Sequence, residues 1–360
     1  MLLFKKHSNK VIISINLEYS REFIGVDLLL IWLKFLLSVL LIIWAGTRLT
    51  KSADLIADRT GLGMVWAGAL LLPLATSLPE IVTSARSSLI GSPDLALGNI
   101  FGSNIFNVAI IAFVDLISPG PPVLRQVKVG HILTAGMAIA MTSFITLNIM
   151  LPSTISLGGI GIESWMIFAF YIFGSRLLMR YEKRFPVLKE ENISCHHLEG
   201  KTLAQGIVGF LISSAIIIFA GIMLADSGKA IAEITGLGET LVGSIFLAIS
   251  TSLPEVVTTA SAARMGLLDM AIGNIFGANF LNLFIVFVAE IFYRPGPVLK
   301  EVSIGHIFTA QVSIFLMAVA IIGLIYRSRR QVARLGLDSI AIVITYFITV
   351  ILMFYMGVAS

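Results

Sequence analysis

The sequence predicts an all-α polytopic membrane protein of ten transmembrane helices, arranged as two inverted repeats of five helices each. Three observations lead there. The composition is too apolar for a soluble globule, apolar runs of spanning length fill almost the whole chain, and one polar-studded segment returns 175 residues later with its landmarks intact.

The 360 residues are 57% hydrophobic and only 13% charged, against roughly a quarter charged in soluble domains. Apolar runs of about 20 residues, the length that crosses a hydrocarbon core of ~30 Å, begin near Leu28, Met64, Leu95, Val129, Thr154, Leu203, Leu241, Met270, Ile304 and Leu337. Each is expected to be a helix, because lipid offers no partner for an unpaired backbone group. The first 27 residues carry both charge signs around a short apolar stretch and lack a signal-peptide cleavage pattern, so residues 1–27 are read as a peripheral N-terminal extension. Cys195 stands alone, which excludes an intrachain disulfide and a Cys-rich metal site, and its neighbours His196 and His197 read as a solvated loop cluster.

Lys and Arg set the orientation. Across ten spans, sixteen of them fall on one side and eight on the other, which leaves Lys34 alone inside a span, near its outer end. The richer side is expected to be cytoplasmic. That puts the loop from Arg180 to Lys201 in the cytoplasm and both termini outside, in a plasma membrane that is expected to be prokaryotic.

Residues 74–107, LATSLPEIVTSARSSLIGSPDLALGNIFGSNIFN, return as residues 249–282, ISTSLPEVVTTASAARMGLLDMAIGNIFGANFLN. The spacing between Glu80 and Glu255 also relates Gly61 to Gly236, Asp94 to Asp269, Asp115 to Glu290, His131 to His306 and Glu163 to Asp338. The chain therefore reads as a first repeat over 28–179, a charged linker over 180–202 and a second repeat over 203–360. Five spans per half is an odd number, so the halves enter the membrane from opposite faces. Inverted repeats place a substrate site at their interface, near the bilayer midplane.

Glu80 and Glu255 lie inside apolar runs, where an unpaired charge costs several kcal/mol. With no basic residue at a comparable depth, the natural partners of two such carboxylates are a Ca²⁺ ion, two Na⁺ ions or protons. The surroundings suit hard cations, which take oxygen ligands. Thr76, Ser77, Thr251 and Ser252 bring hydroxyls one turn before each glutamate, and Asn107 and Asn282 bring amide oxygens. Pro79 and Pro254 lack an N–H and release the carbonyls of Ala75 and Ser250. No Cys or His joins the motif, which disfavours zinc and copper. The Gly98/Gly102 and Gly273/Gly277 pairs read as close helix contacts. Of the three asparagines per half, some are expected to bridge helices and others to face the ion. Asp94, Asp115, Glu163, Asp269, Glu290 and Asp338 sit near span ends and read as caps or solvated groups. His131 and His306 read as hydrogen-bonded interfacial residues, with proton relay as the less favoured role.

Paired TSLPE motifs, each followed by GN-x-x-G-[SA]-N-x-x-N, resemble the two alpha-repeats of the cation/calcium exchanger superfamily, especially its prokaryotic sodium/calcium exchanger-like members. The likeness covers nearly everything from Leu28 onward. It implies a core of the second, third, seventh and eighth spans, with long tilted first and sixth spans that slide across it. It also implies ion ligands at Thr76, Ser77, Glu80, Ser103 and Asn107 in the first half and at Thr251, Ser252, Glu255 and Asn282 in the second, with backbone oxygens of Pro73 and Ala248. Two positions depart from the pattern. Asn282 stands where many sodium/calcium exchangers have aspartate, and Ala278 where they have serine, so a three-sodium stoichiometry is put in doubt.

The expected function is secondary active antiport of Ca²⁺ against Na⁺ by alternating access, with Ca²⁺/H⁺ exchange as the nearest rival. A channel built on the same ligands is a remoter one. An intramembrane enzyme is disfavoured, because there is no HExxH and no histidine beside Ser77 or Ser252 to act as a base. No cofactor and no nucleic-acid partner is expected, only the transported ions and the bilayer, and a monomer is the expected state.

Overall fold

A computed structural model of the chain describes residues 2–153, 155–184, 200–234, 250–293 and 295–356. The span expected to begin near Leu241, the backbone of Ala248, most of the linker and the Cys195–His197 cluster lie outside the described residues. What is described is almost wholly helical.

Helix α1 runs Leu2–Thr60, and its apolar part, Leu29–Thr60, is long enough to cross a membrane. Helices α2 (Met64–Thr76) and α3 (Leu78–Leu89) form one bent unit, with 47° between them. The chemistry of the bend is local. Pro73 and Pro79 each remove a backbone donor, α2 already contains a π-helical turn at Ala67–Leu71, and Ser77 leaves helical geometry with ψ near 10°. The sequence repeats this break at Ser252, with ψ of 8°, immediately before α9 (Leu253–Arg264).

The remaining long helices are α4 (Pro93–Ile117), α6 (His131–Met150), α7 (Ile162–Arg184), α8 (Leu203–Ile234), α10 (Leu268–Phe292), α12 (His306–Tyr326) and α13 (Leu337–Met356). Short helices α5 (Val123–Gln126) and α11 (Val298–Glu301) precede α6 and α12. Two-residue hairpins, β1 (Ser156–Leu157) with β2 (Ile160–Gly161) and β3 (Gln331–Val332) with β4 (Leu335–Gly336), precede α7 and α13. Among the described residues, seven helices are long and apolar enough to cross a membrane, eight with the bent α2–α3 pair, and the apolar part of α13, Leu337–Met353, is shorter.

Helices α4 and α10 are central and pack against each other, α3, α9, α6 and α12. Helix α10 is buried almost along its whole length. Helices α1 and α8 run antiparallel along the outside: Gly206 packs on Leu55 and Ile56, and Ala220 and Leu224 pack near Ile42. Their other flanks leave leucines, isoleucines and Trp32 exposed, as a lipid-facing surface requires.

Polar residues near the span ends lock the bundle, and the locks recur at the 175-residue spacing. Asp94 accepts from the Ser303 N–H at 2.7 Å and pairs with His306 at 3.0 Å, while Asp269 accepts from the Lys128 N–H at 2.8 Å and pairs with His131 at 2.9 Å. Asp115 accepts from the N–H groups of Val123 and Gly336 and from the Ser339 hydroxyl. Glu290 does the same work for Gly161 and Ser164 at the start of α7. These carboxylates are structural ties between halves, and both histidines are hydrogen bonded. Glu163 differs from the rest, since its buried carboxylate oxygens meet no partner.

One glycine pair is a close helix contact. A Cβ on Gly273 or Gly277 would crowd the backbone of Gly68 or Ala69, so α10 and α2 touch main chain to main chain. Residues 243 and 244, the repeat equivalents of Gly68 and Ala69, lie outside the described residues. Gly277→Ala is therefore expected to cost about 1–3 kcal/mol of stability through overpacking. Thermal unfolding of the variant in detergent checks this, with a lowered midpoint expected.

Candidate functional site

The two breaks, at Ser77 and Ser252, bring the motifs together in the middle of the bundle. A helix that stops and restarts exposes backbone groups and turns its flanking side chains inward, which is tolerated at membrane depth only where protein or a cavity surrounds it. Pro79 and Pro254 sit in the first turns of α3 and α9, so Glu80 and Glu255 start the second helical segments with their side chains in the interior. Both are buried, at 0% and 1% exposure.

Each glutamate is held by the other half. The Ser77 hydroxyl donates to Glu255 Oε1 at 2.9 Å, and the Ser252 hydroxyl donates to Glu80 Oε1 at 3.3 Å. Their second oxygens, both Oε2, are buried and have no hydrogen-bond partner. Each serine bond holds a glutamate against the start of the helix that carries the other. A buried acceptor without a donor is costly, and two beside one another are costlier, so the arrangement is built to receive positive charge.

Helices α4 and α10 close the site with their asparagines, which fall into three layers. Asn99 donates to Ser84 at 3.2 Å and Asn274 to Thr258 and Thr259 at 3.0 and 2.9 Å, tying α4 to α3 and α10 to α9. Asn104 and Asn279 exchange amide-to-carbonyl bonds across the halves at 3.4 and 3.1 Å. Asn282 donates to the Asn104 side chain at 3.1 Å and keeps its own oxygen unpartnered, and Asn107 is buried with neither polar atom satisfied. Open amide oxygens thus remain in each layer, at Asn274, at Asn279, and at Asn107 and Asn282.

Other positions named from the sequence also gather here. Ser103 lies 3.1 Å from the Ser252 hydroxyl, whereas its counterpart Ala278 has no hydroxyl to offer Ser77. Thr76 and Thr251 are fully buried, and Thr76 donates to the Leu72 carbonyl at 3.3 Å. The Pro73 carbonyl accepts the Ser77 N–H at 3.0 Å, which leaves one of its two lone pairs. The contribution of Ala248 lies outside the described residues. The cross-half role of Asn104 and Asn279 was not separable from that of their neighbours in the sequence. Their spacing of three residues from Asn107 and Asn282 places them on the same helix face, which was the available signal.

A doubled, reciprocally bonded motif of this kind has a family. The sodium/calcium exchanger protein family model matches residues 30–177 and again residues 205–355. The chain belongs to the sodium/calcium exchanger family. Among relatives, sodium/calcium exchanger MaX1 of Methanosarcina acetivorans is 25% identical over 82% of this chain and 91% of its own length. The inner membrane protein YrbG of Escherichia coli is 26% identical over 73% and 80%, and the putative antiporter CaxA of Alkalimonas amylolytica is 26% identical over 72% and 80%. In solved structures the fold resembles that of the sodium-calcium exchanger NCX_Mj, with a TM-score of 0.67 at 20% identity over 90% of this chain and 99% of that one. This exchanger family member is an integral membrane transporter, and cation exchange of the calcium type is the activity its family supports.

The asparagine tie is expected to stabilise the interface between the halves of the exchanger. Asn104→Ala removes the donor to Asn279 and the acceptor for Asn282, so a loss of about 1–3 kcal/mol is predicted. The check is the denaturation midpoint of the purified protein against Asn99→Ala, which breaks only a contact within one half.

Proposed function

We propose that the protein exchanges Ca²⁺ for Na⁺ across the membrane by alternating access, with Glu80 and Glu255 as the central ligands shared by both ions. The carrying observation is the pair of buried carboxylates, each satisfied on one oxygen by a serine of the other half and open on the second. One divalent cation or a set of monovalent cations neutralises the same pair, so occupancy is mutually exclusive and exchange follows. Thr76, Thr251, Ser77, Ser252, Ser103, Asn107, Asn282 and the backbone oxygens of Pro73 and Ala248 complete an all-oxygen shell suited to such ions.

The architecture we infer is ten helices in two inverted repeats, 28–179 and 203–360, with the linker at 180–202 cytoplasmic and both termini outside, in a plasma membrane. Reciprocal bonding at the 175-residue spacing supports the two-repeat organisation: Ser77 with Glu255 against Ser252 with Glu80, and Asn104 with Asn279 in both directions. The sidedness rests on the distribution of Lys and Arg. Helices α1 and α8 lie outside the core, where rigid sliding leaves the site's hydrogen bonds intact.

Proton coupling is the second reading, and a particular observation favours it. Asn282 and Ala278 bring neither a third carboxylate nor a fourth serine hydroxyl to the site, so it holds fewer charges for sodium to balance.

Calcium uptake into proteoliposomes under separately imposed Na⁺, K⁺ and H⁺ gradients decides between the two. An outward Na⁺ gradient is expected to drive uptake, and uptake driven by a pH gradient with no Na⁺ present would move the assignment to Ca²⁺/H⁺ exchange. Glu80→Gln and Glu255→Gln keep the acceptor for the serine but remove the charge. Losing a few kcal/mol of ion pairing is expected to lower uptake by roughly 100-fold in each.

A further inference from the structure

Lys34 takes no part in the exchange site. It sits in an otherwise apolar stretch of α1, exposed, with no acidic side chain in ion-pair range among the described residues. Around it, the packing of α1 on α8 changes character. At the far end the helices touch closely, with Gly206 against Leu55 and Ile56 and Gly209 against Ser52. At the Lys34 end they part around a cleft of about 400 Å³, open on one side, walled by Ile31, Phe219, Ile222 and Met223, with Lys34 and Asp226 as its charged groups.

Asp226 is already engaged by the Arg86 guanidinium at 3.2 Å, at the end of α3. Arg86, Asp226 and Lys34 together carry one surplus positive charge, and that charge is the lysine. Three charged side chains meeting at one end of the bundle mark the headgroup level, to which long basic side chains extend. Below that level the cleft is apolar and has space for about a dozen water-sized groups, enough for the upper part of one acyl chain.

We propose that this cleft binds one anionic phospholipid, its phosphodiester on the Lys34 ammonium and its acyl chain against Phe219 and Ile222. Neutral lipid fills the cleft by shape alone, whereas an anionic headgroup also balances the surplus charge. One lysine near an anionic lipid surface contributes about 1 kcal/mol, so the preference is roughly fivefold. The site is independent of which ions are exchanged.

Native mass spectrometry of the full chain in detergent, titrated with phosphatidylglycerol and in parallel with phosphatidylcholine, tests it. Wild type is expected to hold one phosphatidylglycerol roughly fivefold more tightly than phosphatidylcholine. Lys34→Gln removes the difference, Lys34→Arg keeps it, and Ile222→Trp, which fills the apolar wall, weakens both lipids. Equal binding of the two lipids by wild type, or a preference that survives Lys34→Gln, overturns the proposal.

Discussion

Two carboxylates buried beside one another in a dry interior are the constraint on which the rest of the structure depends. Hydrogen bonds from Ser77 and Ser252 satisfy one oxygen of each, and the other oxygens remain open. Such a pair is unfavourable by itself, because removing ions from water costs several kcal/mol per charge unless something compensates. The surrounding protein compensates in part, through the Ser77 and Ser252 hydroxyls and the helix N-termini of α3 and α9. In the function proposed above the remainder falls to a visiting cation, and a site stabilised only when occupied is suited to a carrier.

The reciprocal geometry explains why both halves are needed. Neither glutamate finds its serine within its own half, so a single repeat would leave both carboxylates and both hydroxyls without their partners. The same logic operates near the span ends, where Asp94 serves His306 and Asp269 serves His131. These ties pin α4 to α12 and α10 to α6, and they hold the core as one body. Helices α1 and α8 pack on that body through small residues such as Gly46 and Gly221, with two hydrogen bonds from α1 to α9, Thr47 with Ser261 and Thr50 to the Thr258 carbonyl, and the Arg86–Asp226 ion pair between α3 and α8.

Much of this was legible in the sequence because the strongest signals are local. Apolar run length and the doubled TSLPE motif need no tertiary information. The caps at Asp115 and Glu290 were legible for the same reason, as acids near span ends. The partition of the asparagines was not. Asn99, Asn104 and Asn107 share one helix, and only the position of α3 and α10 around it decides which bridges and which stays open. The glycines show the same limit. Gly273 and Gly277 meet the backbone of α2, and their four-residue spacing signals a close contact without saying which helix makes it. The bend at Ser77 was foreshadowed by its prolines, but the π-helical turn at Ala67–Leu71, where Gly68 lies against the backbone of α10, contains no proline to signal it.

Calorimetric titration of Ca²⁺ into the purified protein at several fixed Na⁺ concentrations addresses the central claim most directly. If both ions neutralise the same pair of glutamates, the apparent Kd for Ca²⁺ rises steadily with Na⁺ while the number of sites stays constant. A Kd that does not move with Na⁺, or calcium binding that persists undiminished when Glu80 and Glu255 are both glutamine, would contradict it.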